Sequence, residues 1–473
     1  MNFFEKATPE SCGVSSKNLI NFVEALIKGP EDNETHSFMI IRHGKLVCEG
    51  HFAPYTGEIP HLLYSVSKSF ASMAIGFLVE EGKVSVDDYI YIYFPELITD
   101  DINKENLKIK IHDLLSMSFG QQGEVVHEGS KVKSDAKLYD FFYRNKDIEC
   151  GIEFRYDGNG SYMLAALVKK LTGMNIPEYL MPRLFEPLGI ELPFYRKDSI
   201  GISIGASGMR IKTCDLAKIG LVYLNNGKWN GKQLIPESWV KLATKKHIST
   251  NSPTGADWQQ GYCYQFWRGR YNTARLCGAC GQMCVIMPDY DAIFVVNSGY
   301  TNTNLSYVLD SFYENVMFNM KDQPIPEDKD SNEKLENILS NLRLTYKFSE
   351  MSPLAKVISG NTYELTDSGR YTSAKFEFTD SEVKVTLASE NKNEEFTAGF
   401  SKPVTQKVVS DLVTLEPEDK FEVFGTACWT TRKDLEITFR FLHTPSILKV
   451  VASFTETPEV KLAPVRCDQS NFA

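Results

Sequence analysis

The residue pattern changes near position 350, and this change most constrains how the chain can fold. Upstream of it, segments such as 161–180 carry apolar residues at helical spacing. Downstream of it, runs such as 375–387 alternate β-forming and polar residues. A chain of 473 residues also exceeds one typical hydrophobic core. We therefore predict an N-terminal domain over 1–335, a linker over 336–349 and an all-β domain over 350–473.

The order of elements in the N-terminal part predicts its architecture. A β-hairpin is expected over 37–52, and strand-like runs follow much later at 261–269, 281–288 and 292–299. Helical spacing occurs at 15–29, 62–83, 109–117, 161–180, 214–225, 236–245 and 302–319. A further short helix is expected near 333–343. This order predicts an α/β (α+β) domain in which helices flank an antiparallel sheet and a helical region is inserted between the two halves of that sheet.

The composition argues against several classes of partner. The net charge is −10 at pH 7 and the sequence pI is about 5.5, which disfavours binding to nucleic acid or to an anionic membrane. No apolar stretch approaches the ~20 residues that span a bilayer, and the first residues lack the basic and apolar regions of a secretory signal. The ten cysteines are scattered from Cys12 to Cys467, so we expect a cytoplasmic chain with free thiols.

The stretch LLYSVSKSFASMAIGFLVEEGK, residues 62–83, places two serines and a lysine at the head of an apolar helix. Positions i and i+3 share one face of a helix, so Ser65 can meet Lys68, whereas Ser67 lies on a different side. A serine hydroxyl needs a neighbouring base to act as a nucleophile. Burial favours the uncharged form of lysine that such a base requires. The alternative is a serine N-cap followed by a solvated lysine, because S-x-x-K is common by chance.

Two further motifs admit a catalytic or metal-binding interpretation. The stretch 201–205, centred on Ser203, fits the G-x-S-x-G nucleophile elbow. It lacks the apolar strand before it and the helix directly after it, so we interpret it as a Gly-rich structural loop or a chance match. The spacing of Cys277, Cys280 and Cys284 is reminiscent of zinc or iron–sulfur ligands. On a strand, residues 280 and 284 share a face that excludes 277, so we interpret these residues as structural thiols and predict no metal or organic cofactor.

Several stretches together resemble the serine β-lactamase-related family, in the branch of class C β-lactamases, esterases and amide hydrolases. Besides residues 62–83, the resemblance is carried by HSFMIIRHGKLVCEGHFAPY, IKIHDLLSMSFG, FRYDGNGSYMLAALVKKLTG, ASGMRIKTCDLAKIGLVYLNNGKW and GACGQMCVIMPDYDAIFVVNSG. It covers about residues 5–320. The resemblance implies a β-lactamase/penicillin-binding-protein-like fold with a helical subdomain.

The resemblance also implies an acyl-serine mechanism, with Ser65 as the nucleophile and Lys68 as its base. Tyr156 stands at the tyrosine of the family's Y-x-N or Y-x-S motif, where its phenol would relay protons as a general acid–base. Gly158 replaces the third residue of that motif, so a side-chain contact from this position is lost, and Asn159 follows. Without the resemblance, an aromatic core residue is the plainer interpretation of Tyr156.

The stretch 276–279 matches the family's strand that ends in K-T-G or H-x-G. A backbone N–H donates whatever the side chain, so the amides of Ser65 and Ala279, beside Gly278, would form an oxyanion hole. Leu276 replaces the cation that recognises a carboxylate, and no Ser-Asp-Asn motif occurs, which disfavours a true β-lactamase. Tyr264, upstream of this strand, is expected to line the substrate pocket, although packing in a strand is the alternative.

We therefore predict a serine hydrolase that cleaves an ester or amide bond of a small molecule, rather than a true β-lactamase or D-peptidase. The G-x-x-G-Q form over 278–282 resembles the branch that includes aminohexanoate-oligomer hydrolases. The alternative is a non-catalytic, penicillin-binding-like sensing or binding protein on the same scaffold. The departures at Gly158 and Leu276 and the appended β domain motivate it. Whether the chain forms a homo-oligomer stays open.

Overall fold

The computed structural model describes residues 4–30, 34–121, 137–252, 254–300, 305–366, 371–390, 392–410 and 420–463. The chain divides into two compact units. The first unit comprises Met1–His51, Leu62–Ser298 and Asn302–Asn341, and the second comprises Phe52–His61, Gly299–Thr301 and Leu342–Ala473. The helix Lys329–Ser340 extends into the segment that the sequence pattern assigns to a linker. The domain boundaries at 335 and 350 stay a prediction.

A six-stranded antiparallel sheet forms the centre of the first unit. In chain order its strands are β1 Thr35–Arg42, β2 Lys45–His51, β3 Trp267–Arg268, β4 Ala274–Gly278, β5 Gln282–Met287 and β6 Ala292–Ser298. Their spatial order is β2-β1-β6-β5-β4-β3, so the first hairpin pairs with the last strand along the chain. The predicted antiparallel sheet, with a helical region inserted between its two halves, is confirmed.

The strand-like run 261–269 differs from the prediction, because only its end, β3, belongs to the sheet. Gln265 has a φ of 62°, a left-handed conformation that interrupts extended backbone. The residue pattern does not reveal the neighbouring strand β4, which is indicated only by the family resemblance over 276–279. All five of its residues are buried, so it lacks the alternation of apolar and polar side chains that marks a half-exposed strand.

Among the residues that the structure describes, seven helices of eight or more residues belong to the first unit. They are α1 Ser16–Ile27, α2 Ser67–Glu80, α3 Gly158–Thr172, α4 Thr213–Leu224, α5 Glu237–Thr244, α6 Leu305–Asn315 and α7 Lys329–Ser340. Helical spacing predicted each of the first six, and the short helix Ile111–Leu115 as well. The short helix expected near 333–343 corresponds to α7. The predicted helix over 161–180 is divided in two, because Gly173 ends α3 in a left-handed conformation before the short helix Ile176–Leu180 begins.

The side chains of β6 alternate between the two faces of the sheet. On one face, Phe294 and Phe312 of α6 stack with ring centroids 4.3 Å apart, and both rings contact Phe22 of α1. On the other face, Ile293 and Val295 belong to the core cluster that also contains residues of α2, α3 and α4. Helix α2 is apolar on nearly all sides and runs through this core. The residues at its N-terminal end are therefore held on a rigid element.

The second unit is a nine-stranded β structure, which confirms the prediction of an all-β C-terminal domain. Its strands are β7 Thr362–Thr366, β8 Tyr371–Phe378, β9 Glu382–Ser389, β10 Asn393–Gly399, β11 Val404–Val409, β12 Lys420–Trp429, β13 Asp434–Phe441, β14 Ile447–Ser453 and β15 Glu459–Ala463. Their order is β10-β9-β8-β7-β15-β14-β13-β12-β11, and an additional pairing of β10 with β12 curls the sheet into a barrel-like form. Aromatic and aliphatic side chains fill its interior.

Two expectations from the composition can be compared with the structure. Eight of the ten cysteines carry free thiols, whereas Cys280 is disulfide-bonded, so the expectation of free thiols is wrong at that residue. Across the ranges given above, every helix is too short or too polar to cross a membrane.

Candidate active site

Ser65 and Lys68 meet at the N-terminal end of α2. Ser65 lies in the short 3-10 turn Tyr64–Val66, and Lys68 is the second residue of the helix. The Nζ atom of Lys68 lies 3.0 Å from the Oγ atom of Ser65, which is hydrogen-bonding distance. Lys68 is 4% exposed, whereas Ser65 is half-buried and open to solvent on one side. The i, i+3 spacing therefore produces the contact that the sequence predicted.

The carbonyl oxygen of Ala206 is a second partner of Lys68, at 2.7 Å from Nζ. A neutral lysine amine has two N–H donors and one lone pair. One N–H can donate to the Ala206 carbonyl while the lone pair accepts the proton of the Ser65 hydroxyl. In that uncharged form, Lys68 could accept a proton from Ser65 without losing its contact with Ala206.

The Gly-rich loop 201–208 delivers this carbonyl to the site. Gly205 has a φ of 68°, and a Cβ atom there would lie 2.3 Å from the carbonyl oxygen of Ser161, so the position requires glycine. Ser203 is buried, and its N–H donates to Oδ1 of Asn175 at 3.0 Å. The next helix, α4, begins only at Thr213. The structure therefore agrees with a structural loop and lacks the strand–turn–helix of a nucleophile elbow.

Tyr156 contacts Lys68 from the segment that precedes α3. The Nζ atom of Lys68 lies 4.9 Å from the centroid of the Tyr156 ring, and Tyr156 is 42% exposed. The ring stacks on Trp267 with a centroid separation of 5.8 Å and an interplanar angle of 25°. Phe154 and Tyr262 complete this aromatic cluster. Burial above all, and then the neighbouring Tyr156, raises the pKa of Tyr262 well above its ordinary value, so its phenol stays neutral.

Hydrogen bonds hold the Tyr156 segment on both sides. Upstream, the N–H of Arg155 donates to the Met117 carbonyl at 2.9 Å. Downstream, Asp157 caps α3, and its Oδ1 accepts both the N–H and the side-chain amide of Asn159 at 2.8 Å. Gly158 departs from the family motif. The residue after it, Asn159, is bound through its side-chain amide to Asp157, the residue that caps α3.

The end of strand β4 packs directly against the backbone at Ser65. A Cβ atom at Gly278 would lie 2.2 Å from the carbonyl oxygen of Leu63 and 3.2 Å from the backbone nitrogen of Ser65. The position therefore requires glycine, and it brings the backbone of Gly278, the residue before Ala279, beside the Ser65 amide. Tyr64, directly before Ser65, has a φ of 46°, which is uncommon for a bulky residue and marks a constrained turn.

Two of the sequence-predicted positions lie in buried surroundings. Leu276 is fully buried in the core, so its position supplies an apolar side chain where the family has a cation. Tyr264 is also buried. Its phenol and Nδ1 of His112 are joined by a 2.6 Å hydrogen bond, and its ring stacks on His247 with centroids 3.9 Å apart. These contacts place Tyr264 in a cluster with His112 and His247. The assignment of Tyr264 to the substrate pocket stays a prediction.

Some groups of the site have no signature in the sequence. The Ala206 carbonyl is a backbone group, so residue type does not reveal it. Phe154 could have been found only by its closeness to Tyr156 along the chain. Over the described ranges, no group of three His, Cys, Asp or Glu side chains is placed to hold a metal ion, and Cys277 and Cys284 carry free, buried thiols.

The fold and this arrangement define a β-lactamase/penicillin-binding-protein-like protein. A sequence model of the Beta-lactamase family matches residues 23–312. The chain therefore belongs to the Beta-lactamase family.

Individual proteins resemble the chain at low identity. The 6-aminohexanoate-dimer hydrolase of Paenarthrobacter ureafaciens is 24% identical over 316 residues, which cover 63% of this chain and 80% of that protein. The octameric penicillin-binding protein homologue from Pyrococcus abyssi has a TM-score of 0.51 at 16% identity and covers 90% of this chain and 98% of its own. EstCE1, a hydrolase with promiscuous acyltransferase activity, has a TM-score of 0.51 at 18% identity and covers 63% of this chain and 99% of its own. These two structures support the fold alone.

Proposed function

We propose that this chain is a serine hydrolase that cleaves an ester or amide bond of a small molecule through an acyl-serine intermediate. The observation that carries the proposal is the 3.0 Å contact between Nζ of Lys68 and Oγ of Ser65, with the lysine buried. A nucleophile and a base within hydrogen-bonding reach are the structural mark of nucleophilic catalysis. Membership of the Beta-lactamase family, and similarity to a protein named as a hydrolase, support hydrolytic activity.

The proposed reaction follows from the positions of these groups. Oγ of Ser65 attacks the substrate carbonyl carbon while Lys68 accepts the hydroxyl proton. The N–H groups of Ser65 and Ala279 stabilise the negative charge that develops on the carbonyl oxygen. The tetrahedral intermediate expels the alcohol or amine, which takes up a proton from Lys68 or through Tyr156. Water then attacks the acyl carbon and gives its proton to Lys68, which returns a proton to Oγ of Ser65 as the acyl–oxygen bond breaks, so that the acid and free Ser65 are released.

The proposed substrate is an open-chain ester or amide with an apolar group, rather than a β-lactam. The buried Leu276 stands where the family supplies a cation for a carboxylate. The cluster of Phe154, Tyr156, Tyr262 and Trp267 places uncharged aromatic rings beside Lys68, and such rings favour apolar groups. The similarity to a 6-aminohexanoate-dimer hydrolase supports the amide branch of this proposal.

The experiment is a hydrolysis panel run with three proteins. The substrates are p-nitrophenyl esters of increasing chain length, linear amides, D-amino-acid amides and a chromogenic cephalosporin. Wild type, Ser65→Ala and Ser203→Ala are compared. The Ser203 hydroxyl has no hydrogen-bond partner within the described residues, so its removal is a mild, matched control for the rival serine. We expect turnover of the esters or linear amides by wild type and Ser203→Ala, and none by Ser65→Ala.

Two outcomes would contradict the proposal. Hydrolysis that survives in Ser65→Ala would assign the reaction to another nucleophile. A fluorophosphonate probe that labels wild type while every substrate remains intact would favour the non-catalytic binding protein, because such a protein acylates without turnover.

A further inference from the structure

The turn that follows β4 carries the Ala279 amide, and one buried side chain spans it. The turn comprises Ala279–Gly281, and Gln282 is the first residue of β5. Gln282 is 0% exposed, so each hydrogen-bonding atom of its amide needs a partner within the protein. The partners that it takes are backbone groups of the turn and of β6.

The Gln282 amide links the turn to strand β6. Its Nε2 atom lies 2.6 Å from the carbonyl oxygen of Ser298, 3.2 Å from that of Cys280 and 3.3 Å from that of Ala279. Its Oε1 atom accepts the N–H of Ser298 at 3.3 Å. With two N–H donors for three carbonyls, one N–H serves Ser298 and the turn carbonyls share the other. Gln282 therefore ties the turn to the centre of the sheet.

The turn needs this support because its conformation is unfavourable by itself. Cys280 has a φ of 60°, in the left-handed region that residues with a Cβ atom rarely adopt. Such a conformation persists only where surrounding contacts hold it. The hydrogen bonds from Gln282 to the carbonyls of Ala279 and Cys280 are contacts of this kind.

The Ala279 residue is consequently held on both sides. Upstream, Gly278 pairs with Gln282 across the strands and lies against the backbone nitrogen of Ser65. Downstream, the Gln282 side chain restrains the Ala279 carbonyl. Because the residue is fixed at both ends, the direction of its N–H is fixed relative to the Ser65 amide. An oxyanion hole depends on this direction, since its donors must be oriented before charge develops.

We infer that Gln282 is the positioning residue of the oxyanion hole, acting through the Ala279 amide. The inference rests on the proposed serine hydrolase function. It assigns to Gln282 a role in stabilising the tetrahedral intermediate, beyond its contribution to the fold. Gln282 does not touch the substrate.

The test compares Gln282→Met with wild type on an ester and on the matching thionoester. Methionine has nearly the length of glutamine but donates no hydrogen bond. We expect kcat for the ester to fall about 10²- to 10³-fold, the loss typical of one oxyanion-hole donor, with KM little changed. Sulfur is a poor hydrogen-bond acceptor, so the thionoester rate should fall much less, and the ester/thionoester ratio of kcat should collapse.

The matched control is Gln265→Met. Gln265 is a second buried glutamine, and its amide binds Ser161 and the carbonyls of Leu114 and Leu115. Its loss should lower thermal stability while leaving the ester/thionoester ratio at the wild-type value. If Gln282→Met does not fold, Gln282→Asn, which keeps the amide but shortens the side chain, is measured instead with the same expectation.

Three outcomes would overturn the inference. The first is a kcat of Gln282→Met equal to that of wild type. The second is an equal fall in kcat for the ester and the thionoester. The third is a fall in kcat that appears only after Gln282→Met is treated with a phosphine reductant. The last would mean that the disulfide of Cys280, rather than Gln282, holds the turn. Failure of the proposed function is distinguishable, because wild type itself would then turn over neither substrate.

Discussion

The two units of this protein differ in where they place strained backbone. Ten non-glycine residues have a left-handed φ, and among the described residues all of them belong to the first unit. Each such residue is unfavourable by about 1–2 kcal/mol. Tyr64 directly precedes Ser65, Cys280 follows Ala279, and Met117 contacts the neighbours of Tyr156. Three of these left-handed residues therefore adjoin groups of the proposed site.

The second unit is regular by comparison. Alternate residues are buried in strands such as β9, where Val383, Val385 and Leu387 are buried and the residues between them are partly exposed. Its core is mainly aromatic and aliphatic. We interpret this difference as left-handed backbone that the first unit keeps where it shapes the proposed site, whereas the second unit follows regular strand geometry. Four variants test this contrast.

The largest effect is expected in the first unit for Lys68→Met. Removal of the base should lower kcat/KM for an ester by about 10³- to 10⁴-fold, because the Ser65 hydroxyl then has no neighbouring amine to take its proton. The melting temperature should change little, since methionine fills the same buried space. The control is Lys83→Met, which removes an exposed lysine paired with Glu81 and should keep full activity. Activity of Lys68→Met within tenfold of wild type would contradict the role of Lys68.

In the second unit, Phe396→Ala should act on stability alone. Phe396 is 0% exposed, and its ring lies 5.0 Å from Phe439 and 6.2 Å from Phe441, centroid to centroid. Its loss should lower the free energy of unfolding of this unit by about 3–5 kcal/mol, the usual effect of removing a buried ring. Faster hydrogen–deuterium exchange in β10 and β13 would report it. The rate at which a fluorophosphonate probe labels Ser65, per folded molecule, should stay at the wild-type value. A large fall in that rate would contradict the proposed difference between the two units.

A third variant, Gly278→Ala, tests the close approach at the oxyanion hole. The added Cβ atom would lie 2.2 Å from the Leu63 carbonyl oxygen, so the backbone must move and the Ser65 and Ala279 amides must separate. We expect kcat to fall about 10²- to 10³-fold. The companion variant Ala279→Gly keeps every N–H and should lose far less. Equal losses in the two variants would show that the close approach is not the reason for glycine at 278.

The smallest effect concerns His247, which stacks on Tyr264. Burial above all, and also the neighbouring His112 and Lys245, holds the pKa of His247 below its ordinary value, although a hydrogen bond to the Leu242 carbonyl opposes this. An unfolded histidine titrates near 6.5, so below about that pH the unfolded chain binds more protons and wild type loses stability.

The variant His247→Phe keeps a flat ring on Tyr264 but cannot bind the proton. Between pH 7 and pH 5, its melting temperature should therefore fall less than that of wild type, by about 2 °C. Equal falls in melting temperature for wild type and His247→Phe would exclude His247 as a source of the acid sensitivity.

Most of the fold could be predicted from the sequence, because helical spacing and strand alternation report which faces are buried. The predicted helices at 15–29, 214–225 and 236–245 correspond to α1, α4 and α5. Strand β4 is indicated only by the family resemblance over 276–279, because burial of both its faces removes the alternation of apolar and polar residues. The strand expected over 261–269 is mostly absent because Gln265 leaves extended geometry for contacts with three helical segments that are distant in sequence.

Some features of the candidate site could also be predicted from the sequence, whereas others could not. The contact between Ser65 and Lys68 follows from local helix geometry, so the sequence alone could indicate it. The approach of Tyr156 rests on tertiary packing, and only the family resemblance pointed to it. The Ala206 carbonyl and the hydrogen bonds of Gln282 depend on backbone positions that residue type does not encode. The left-handed Tyr64 and Cys280 also go against the preference of their residue types, and surrounding contacts hold them.

The central claim is that Ser65 is the nucleophile, and the most direct test is the site of acylation. Wild type is mixed with a p-nitrophenyl ester, quenched with acid within the first turnover, digested and analysed by peptide mass spectrometry. We predict that the acyl group is found on Ser65, in the peptide that also contains Ser67 and Lys68, with fragmentation separating the two serines. An acyl group on Ser67, on Ser203 or on a cysteine, formed at a rate that matches turnover, would contradict the claim.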